Sequence, residues 1–141
     1  MTLTQALVLP AFVHVALVAA VGLRMGQARV RAAQSGQVRM RDVALDGSKW
    51  PDGVRKFANN NQNQFEVPVL YYALLGLLLA TGLGDGVAVA LSWGFAASRI
   101  VHSVIHTGAN VVLWRFRAFL VGFVFLMLMW AWFGLRLFVI G

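Results

Sequence analysis

The sequence predicts an all-α fold, an integral membrane four-helix bundle, and three observations carry that prediction. The chain has 141 residues, of which 60% are hydrophobic and only 12% charged, with a mean hydropathy of +0.73. That is far more apolar than a soluble domain of this size. The apolar residues fall into four segments, each close to the ~20 residues a helix needs to cross a bilayer. The net charge of +7 comes from Lys and Arg gathered between those segments, the pattern of basic cytoplasmic loops. No basic face interleaved with aromatics accompanies the charge, so membrane lipid and not nucleic acid is the expected partner. The length suits one domain over residues 1–141. There is no cysteine, which excludes a disulfide framework and a protein thiolate.

The first span runs from about Leu3 to Leu23. It lacks a basic leader, and Arg24 follows it where a signal peptide would carry small residues, so it reads as a retained helix. A long connection, about residues 24–55, holds Arg24, Arg29, Arg31, Arg39, Arg41, Lys49 and Arg55. Within it, "SKWPDGVRKF" carries helix-start signals: Ser48 or Asp46 as cap, Pro51 at the first helical position, Asp52 in the first turn.

The second span covers about residues 65–83. If its helix starts near Pro51 and ends near Thr81, it is roughly 46 Å long at ~1.5 Å per residue, more than the ~30 Å hydrocarbon core. The stretch "NNNQNQ" then belongs to a helix and not to a polar linker. Pro68 predicts a kink. Asn59, Asn63 and Glu66 fall at i, i+4 and i+7, one face, and a carboxylate below the membrane surface requires a partner.

A tight "GLGDG" turn leads to the third span, about residues 87–105. Its "SRIVHSVIHTGAN" puts Arg99, His102, His106 and Asn110 on one stripe. Counted from the turn, Glu66, His102 and Arg99 lie roughly 27, 24 and 20 Å deep at ~1.5 Å per residue, and helices joined by a tight turn are neighbours. The fourth span covers about residues 116–140, after Arg115 and Arg117. With both basic loops in the cytoplasm, both termini lie on the non-cytoplasmic side. Arg136, near the outer end, is expected to snorkel to headgroups.

Two readings of the polar stripe follow. A buried Glu66–Arg99–His102 cluster can fix helix packing, or these groups line a pocket open to the cytoplasm. His102, His106 and Glu66 have metal-ligand chemistry, but Arg99 one turn away would repel a divalent cation, so no metal is expected. His14, alone in the first span, reads as a packed histidine.

"RIVHSVIHTGANVVLWR" resembles the third-helix signature of the MAPEG superfamily, membrane-associated proteins in eicosanoid and glutathione metabolism. Arg99, His102, His106 and Arg115 match its spacing, and "NQFEVP" resembles the second-helix Asn-x-x-Glu motif through Asn63 and Glu66. The similarity covers nearly the whole chain and is greatest to a bacterial subgroup. It implies a four-helix bundle assembled as a MAPEG-like homotrimer in the bacterial inner (cell) membrane. It also implies glutathione as co-substrate, bound near the cytoplasmic side between neighbouring subunits. The implied activity is that of a glutathione-dependent transferase or peroxidase acting on lipophilic electrophiles.

Carried over by resemblance, Asn63 and Glu66 hold the peptide part of glutathione. Arg99 is structural or lines the cleft, and His102 and His106 take the two aromatic-or-His positions, His106 in place of a Tyr near the thiol. Arg115 corresponds to the late Arg that favours the thiolate, and Arg24 or Arg29 serves the anionic ends. The chain departs from glutathione users at Asn59, Asn61 and Gln62, neutral amides in the region where those proteins carry Arg or His. Charge-assisted pairs are about twice as strong as neutral ones, so an anion is held less tightly here. The competing readings are a non-catalytic membrane protein with a structural cluster, and a binding protein for another small amphiphile.

Overall fold

The computed structural model describes residues 1–140. Its elements are α1 (Leu3–Gln34), a short α2 (Met40–Val43), a 3₁₀ turn (Gly47–Lys49), α3 (Asp52–Asn63), α4 (Pro68–Thr81), α5 (Gly86–Thr107) and α6 (Val112–Leu135). A π-helical turn, Arg136–Ile140, continues α6. No strand is present among the described residues. Four stretches are long and apolar enough to cross a membrane: Leu3–Gln34, Asp52–Thr81, Gly86–Thr107 and Val112–Ile140.

Helix α1 starts where expected, at a capping box. The Gln5 amide donates to the Thr2 hydroxyl, 3.2 Å, and the Thr2 amide to Gln5 Oε1, 2.8 Å, which satisfies two otherwise free donors. It does not end near Leu23. Hydropathy changes there, but nothing breaks the helix until Gly36, whose φ of +73° suits a residue without Cβ. The extra turns pack outside the main core, where Ala32 meets Val43, Trp50 and Val54 in a small apolar cluster.

The second span is not one kinked helix. It is broken: α3 ends at Asn63 and α4 begins at Pro68. The intervening backbone runs on three-residue bonds, Gln64 to Asn61 at 3.0 Å and Phe65 to Gln62 at 2.9 Å. Pro68 has no N–H to return to Gln64, so it serves better as a first helical residue than as an interior one. Val54 and Asn60 turn α3 inward, and Tyr71, Leu74 and Leu78 do the same for α4.

The turn between α4 and α5 is tight as expected. Gly82 takes φ +69°, and a Cβ on Gly84 would collide with Leu7 of α1. Asp85 caps α5 by accepting from the Ala88 amide, 2.9 Å. The same carboxylate corrects the expectation for Arg136. Arg136 pairs with Asp85 at 2.6 Å, and Trp132 Nε1 donates to it at 2.9 Å. The carboxylate is fixed within reach of the guanidinium, and the pair ties the end of α6 to the start of α5.

The bundle divides along its length. Near the tight turn lies the apolar core: Leu7 and Ala11 of α1, Leu74 and Leu78 of α4, Ala88 and Phe95 of α5, Leu126 and Met129 of α6. Helices α5 and α6 approach closely. A Cβ on Gly94 would meet the Phe125 ring, and one on Gly122 would meet Ser98, so small residues permit the contact. Asn60, Gln64, Arg99, His102 and His106 are buried in the other half, and His14 is buried at the boundary, its ring centroid 6.1 Å from that of Phe95.

Candidate functional site

The amide stretch separates into two sets by helix face. Asn60 and Gln64, one turn apart, point inward and are fully buried. Gln64 Nε2 donates to Asn60 Oδ1 at 3.1 Å, and Asn60 Nδ2 donates to the Ser103 hydroxyl at 2.7 Å. Gln64 Oε1 accepts from His14 Nε2 at 3.1 Å and from Arg99 Nη2 at 3.3 Å. Because that nitrogen of His14 donates, its Nδ1 accepts from the Tyr72 hydroxyl, 2.7 Å. One chain of hydrogen bonds thus crosses four helices. His14 is the packed histidine the sequence suggested, with named partners.

Arg99 belongs to this network. Only 2% exposed, it donates to the Asn63 carbonyl at 2.7 Å, one of the carbonyls left free where α3 stops. The expected Glu66–Arg99 pair does not form: among the described residues Glu66 makes no ion pair. The break in the helix explains this. It turns the Asn63 carbonyl toward Arg99, while Glu66 faces outward and accepts from Gln62 Nε2 at 3.2 Å.

The second set of polar groups lines an open cavity of about 470 Å³, within the size range of small-molecule sites. Asn59, Gln62, Asn63 and Glu66 form one wall, His102 and His106 the floor, and Val112, Arg115, Phe116 and Phe119 the opposite wall. The Asn63 amide nitrogen donates to the Asn59 carbonyl at 2.9 Å. The His102 and His106 rings meet edge-on, 5.5 Å between centroids. His102 Nδ1 and both ring nitrogens of His106 are buried without a partner. Such groups carry a penalty of about 1–3 kcal/mol each unless something satisfies them. One carboxylate and one guanidinium, Glu66 and Arg115, line the cavity together with the neutral amides of Asn59, Gln62 and Asn63.

Charge on the far side of α3 is organised differently. A second cavity, lined in part by Arg29, Trp50 and Arg55, shares Asn59 and Gln62 with the first. The Arg29 guanidinium lies over the Trp50 ring, 5.5 Å from its centroid. Arg24 is exposed and lines neither cavity.

Two short motifs, at residues 63–68 and 99–115, therefore meet at one cavity. The sequence model of the MAPEG family matches residues 7–135, a range that holds most of each of the four spans and every residue of the cavity. The chain belongs to the MAPEG family. It is accordingly a multi-pass membrane protein of the superfamily tied to glutathione and eicosanoid metabolism. No curated protein and no solved structure gives a significant match to the chain.

In this MAPEG protein, Asn59, Asn63, Glu66, His102, His106 and Arg115 gather at the cavity, while Arg99 lies behind it and Arg24 apart from it. Sequence reasoning placed Gln62 among the neutral amides where relatives carry charge but did not name it as a site residue, although its position between Asn59 and Glu66 on the helix gave the signal. It also missed Val112, Phe116 and Phe119. With Arg115 these fall at i, i+3, i+4 and i+7, one helix face, but a fourth span begun at Phe116 hid the pattern. Asn110 is not on the α5 stripe. The helix ends at Thr107, and Asn110 lies in the following turn, where its Oδ1 accepts from Arg115 Nη1 at 2.8 Å.

Proposed function

We propose that this MAPEG protein binds glutathione in the open cavity and uses its thiol against lipophilic electrophiles, as a transferase or peroxidase. One observation carries the reading: Glu66 and Arg115, from motifs far apart in sequence, line the same cavity with Asn63 and His106. Glu66 takes the ammonium group and Asn63 the peptide. Arg115 favours the thiolate, the nucleophilic form of a thiol that is poorly ionised at neutral pH. His106, with two unpartnered ring nitrogens, accepts the thiol proton. The sulfur then forms a bond to an electrophilic carbon as that carbon's bond to a leaving group breaks, and the proton passes to the leaving group. With a peroxide the S–O bond forms as the O–O bond breaks, giving an alcohol and the sulfenic acid of glutathione, which a second glutathione converts to disulfide and water. Phe116 and Phe119 offer the apolar wall that a lipophilic partner needs.

The chain acts in this reading as a homotrimer in the bacterial inner membrane, with both termini outside and the cavity toward the cytoplasm. The basic connection supports the orientation. Large exposed apolar side chains such as Phe12, Leu120 and Leu128 support lipid and subunit contacts. The cleft is completed by a neighbouring copy, and the α1 surface carrying Arg24 is free to contribute.

The test is direct. Purified protein titrated with glutathione is expected to saturate and to show thiolate absorbance near neutral pH, lost in Arg115→Ala. No binding at millimolar glutathione sinks the proposal. One observation favours a second reading, a binding protein for a different amphiphile: Asn59 and Gln62 leave Arg115 as the single cation lining the cavity. Binding of zwitterionic amphiphiles with no thiol chemistry would select it.

A further inference from the structure

The turn after α5 is built around one unusual residue. Asn110 has φ +52° and is the one non-glycine residue with positive φ among those described. The turn closes α5 through two backbone bonds, Gly108 to the Val104 carbonyl at 2.9 Å and Asn110 to the Ile105 carbonyl at 2.8 Å, which satisfy carbonyls left free at the helix end. Gly108 has no room for a side chain, since a Cβ would lie 2.9 Å from the Val104 carbonyl oxygen. Lys56 of α3 braces the turn by donating to the Gly108 carbonyl, 3.4 Å.

Glycine would meet the backbone demand at residue 110 with less strain. What asparagine adds is a side chain, and that side chain is engaged. Its Oδ1 accepts from Arg115 Nη1 at 2.8 Å, and both residues are half-buried. Arg115 stands in the first turn of α6, on the face that lines the cavity. An arginine there has a long, flexible stem and, among the described residues, no carboxylate partner. Holding one nitrogen restricts where the rest of the planar fork can lie at the cavity wall.

We propose that Asn110 is a positioning residue: the left-handed turn after α5 presents its amide oxygen to Arg115 and fixes the guanidinium at the cavity wall. The proposal rests on the reading above for what Arg115 does to a bound thiol, but not for the anchoring itself. Asn110→Gly separates the two roles, because glycine keeps the turn and removes the acceptor.

Two measurements test it. The first needs no ligand. Mass spectrometry follows the rate at which phenylglyoxal modifies Arg115 in wild type and in Asn110→Gly at equal thermal stability. Several-fold faster modification in the variant is expected, and an equal rate overturns the anchoring. The second uses glutathione. The pH midpoint of the bound thiolate is expected to rise by about one unit in Asn110→Gly. Asn110→Gly/Arg115→Ala is expected to rise no further than Arg115→Ala alone, because the two residues act as one unit. An unchanged midpoint in Asn110→Gly, or shifts that simply add, overturns the proposal. If wild-type protein binds no glutathione, the proposed function fails while the modification rates still decide the role of Asn110.

Discussion

At the scale of single residues, neighbouring side chains of the same type do different work. Gln62 faces the cavity and Gln64 the interior. Removing Gln64 leaves buried donors on His14 and Arg99, and the Asn60 acceptor, without that partner, at about 1–3 kcal/mol for each unsatisfied group. Gln64→Leu is therefore expected to lower the thermal midpoint in detergent by many degrees, while Gln62→Ala leaves it near wild type. Equal midpoints for the two variants would contradict the division. Asp85 gives a prediction in pH. Burial alone would raise its carboxyl, but the Ala88 amide, Trp132 and Arg136 outweigh it and hold it below its ordinary 3.8. A carboxyl depressed in the folded state contributes stability that is fully present above its unfolded value. That contribution is lost as pH falls through the folded one. The Asp85 part of the stability is thus expected to persist down to about pH 4 and fade below it. Asp85→Asn should flatten that acid limb in thermal melts against pH. An acid limb identical to wild type would refute the link.

At the scale of elements, the decisive feature is the break between α3 and α4. An unbroken helix would keep Gln64 bonded along its own axis and turn Asn63 and Glu66 with the rest of the span. The break frees the Asn63 carbonyl to accept from Arg99, while Glu66 stays with Asn59 and Asn63 at the cavity. Its causes were partly legible. Pro68 announced a disturbance, and the i, i+4, i+7 spacing announced one polar face. The sequence pattern did not distinguish a kink from a stop, because a proline serves equally in a bent helix and at the first position of a new one. The fourth span shows the converse error. Hydropathy places its start after Arg115, yet the helix includes that residue, since a basic side chain ends an apolar run without ending a helix.

At the scale of the whole molecule, the bundle is apolar toward the tight turn and polar toward the basic connection. That polarity, with the positive charge, predicts a sidedness. The absence of cysteine makes the check clean. An impermeant maleimide added to intact cells is expected to label Thr2→Cys and to spare Leu45→Cys, which is fully exposed in the basic connection. The reverse pattern would invert the proposed orientation. The apolar exterior predicts assembly as well. Native mass spectrometry from mild detergent is expected to give three copies, and a monomer that still binds ligand would rule out a shared cleft.

The residues alone determined the class of molecule: four apolar spans, no protein thiol chemistry, a basic connection between the first two spans, and two motifs whose resemblance to the MAPEG family pointed to one polar site. All but the resemblance follow from composition and helical period, which are local properties. They also brought Asn63, Glu66, His102, His106 and Arg115 forward as candidates, and these meet at one cavity. Tertiary structure alone decided partnership. Glu66 and Arg99 share a level but not a bond, Arg136 finds Asp85 across the chain, and Asn110 leaves its expected stripe to hold Arg115. Helical period fixes which face a side chain occupies. Where a helix stops, and which neighbour then lies opposite, depends on packing between elements distant in sequence.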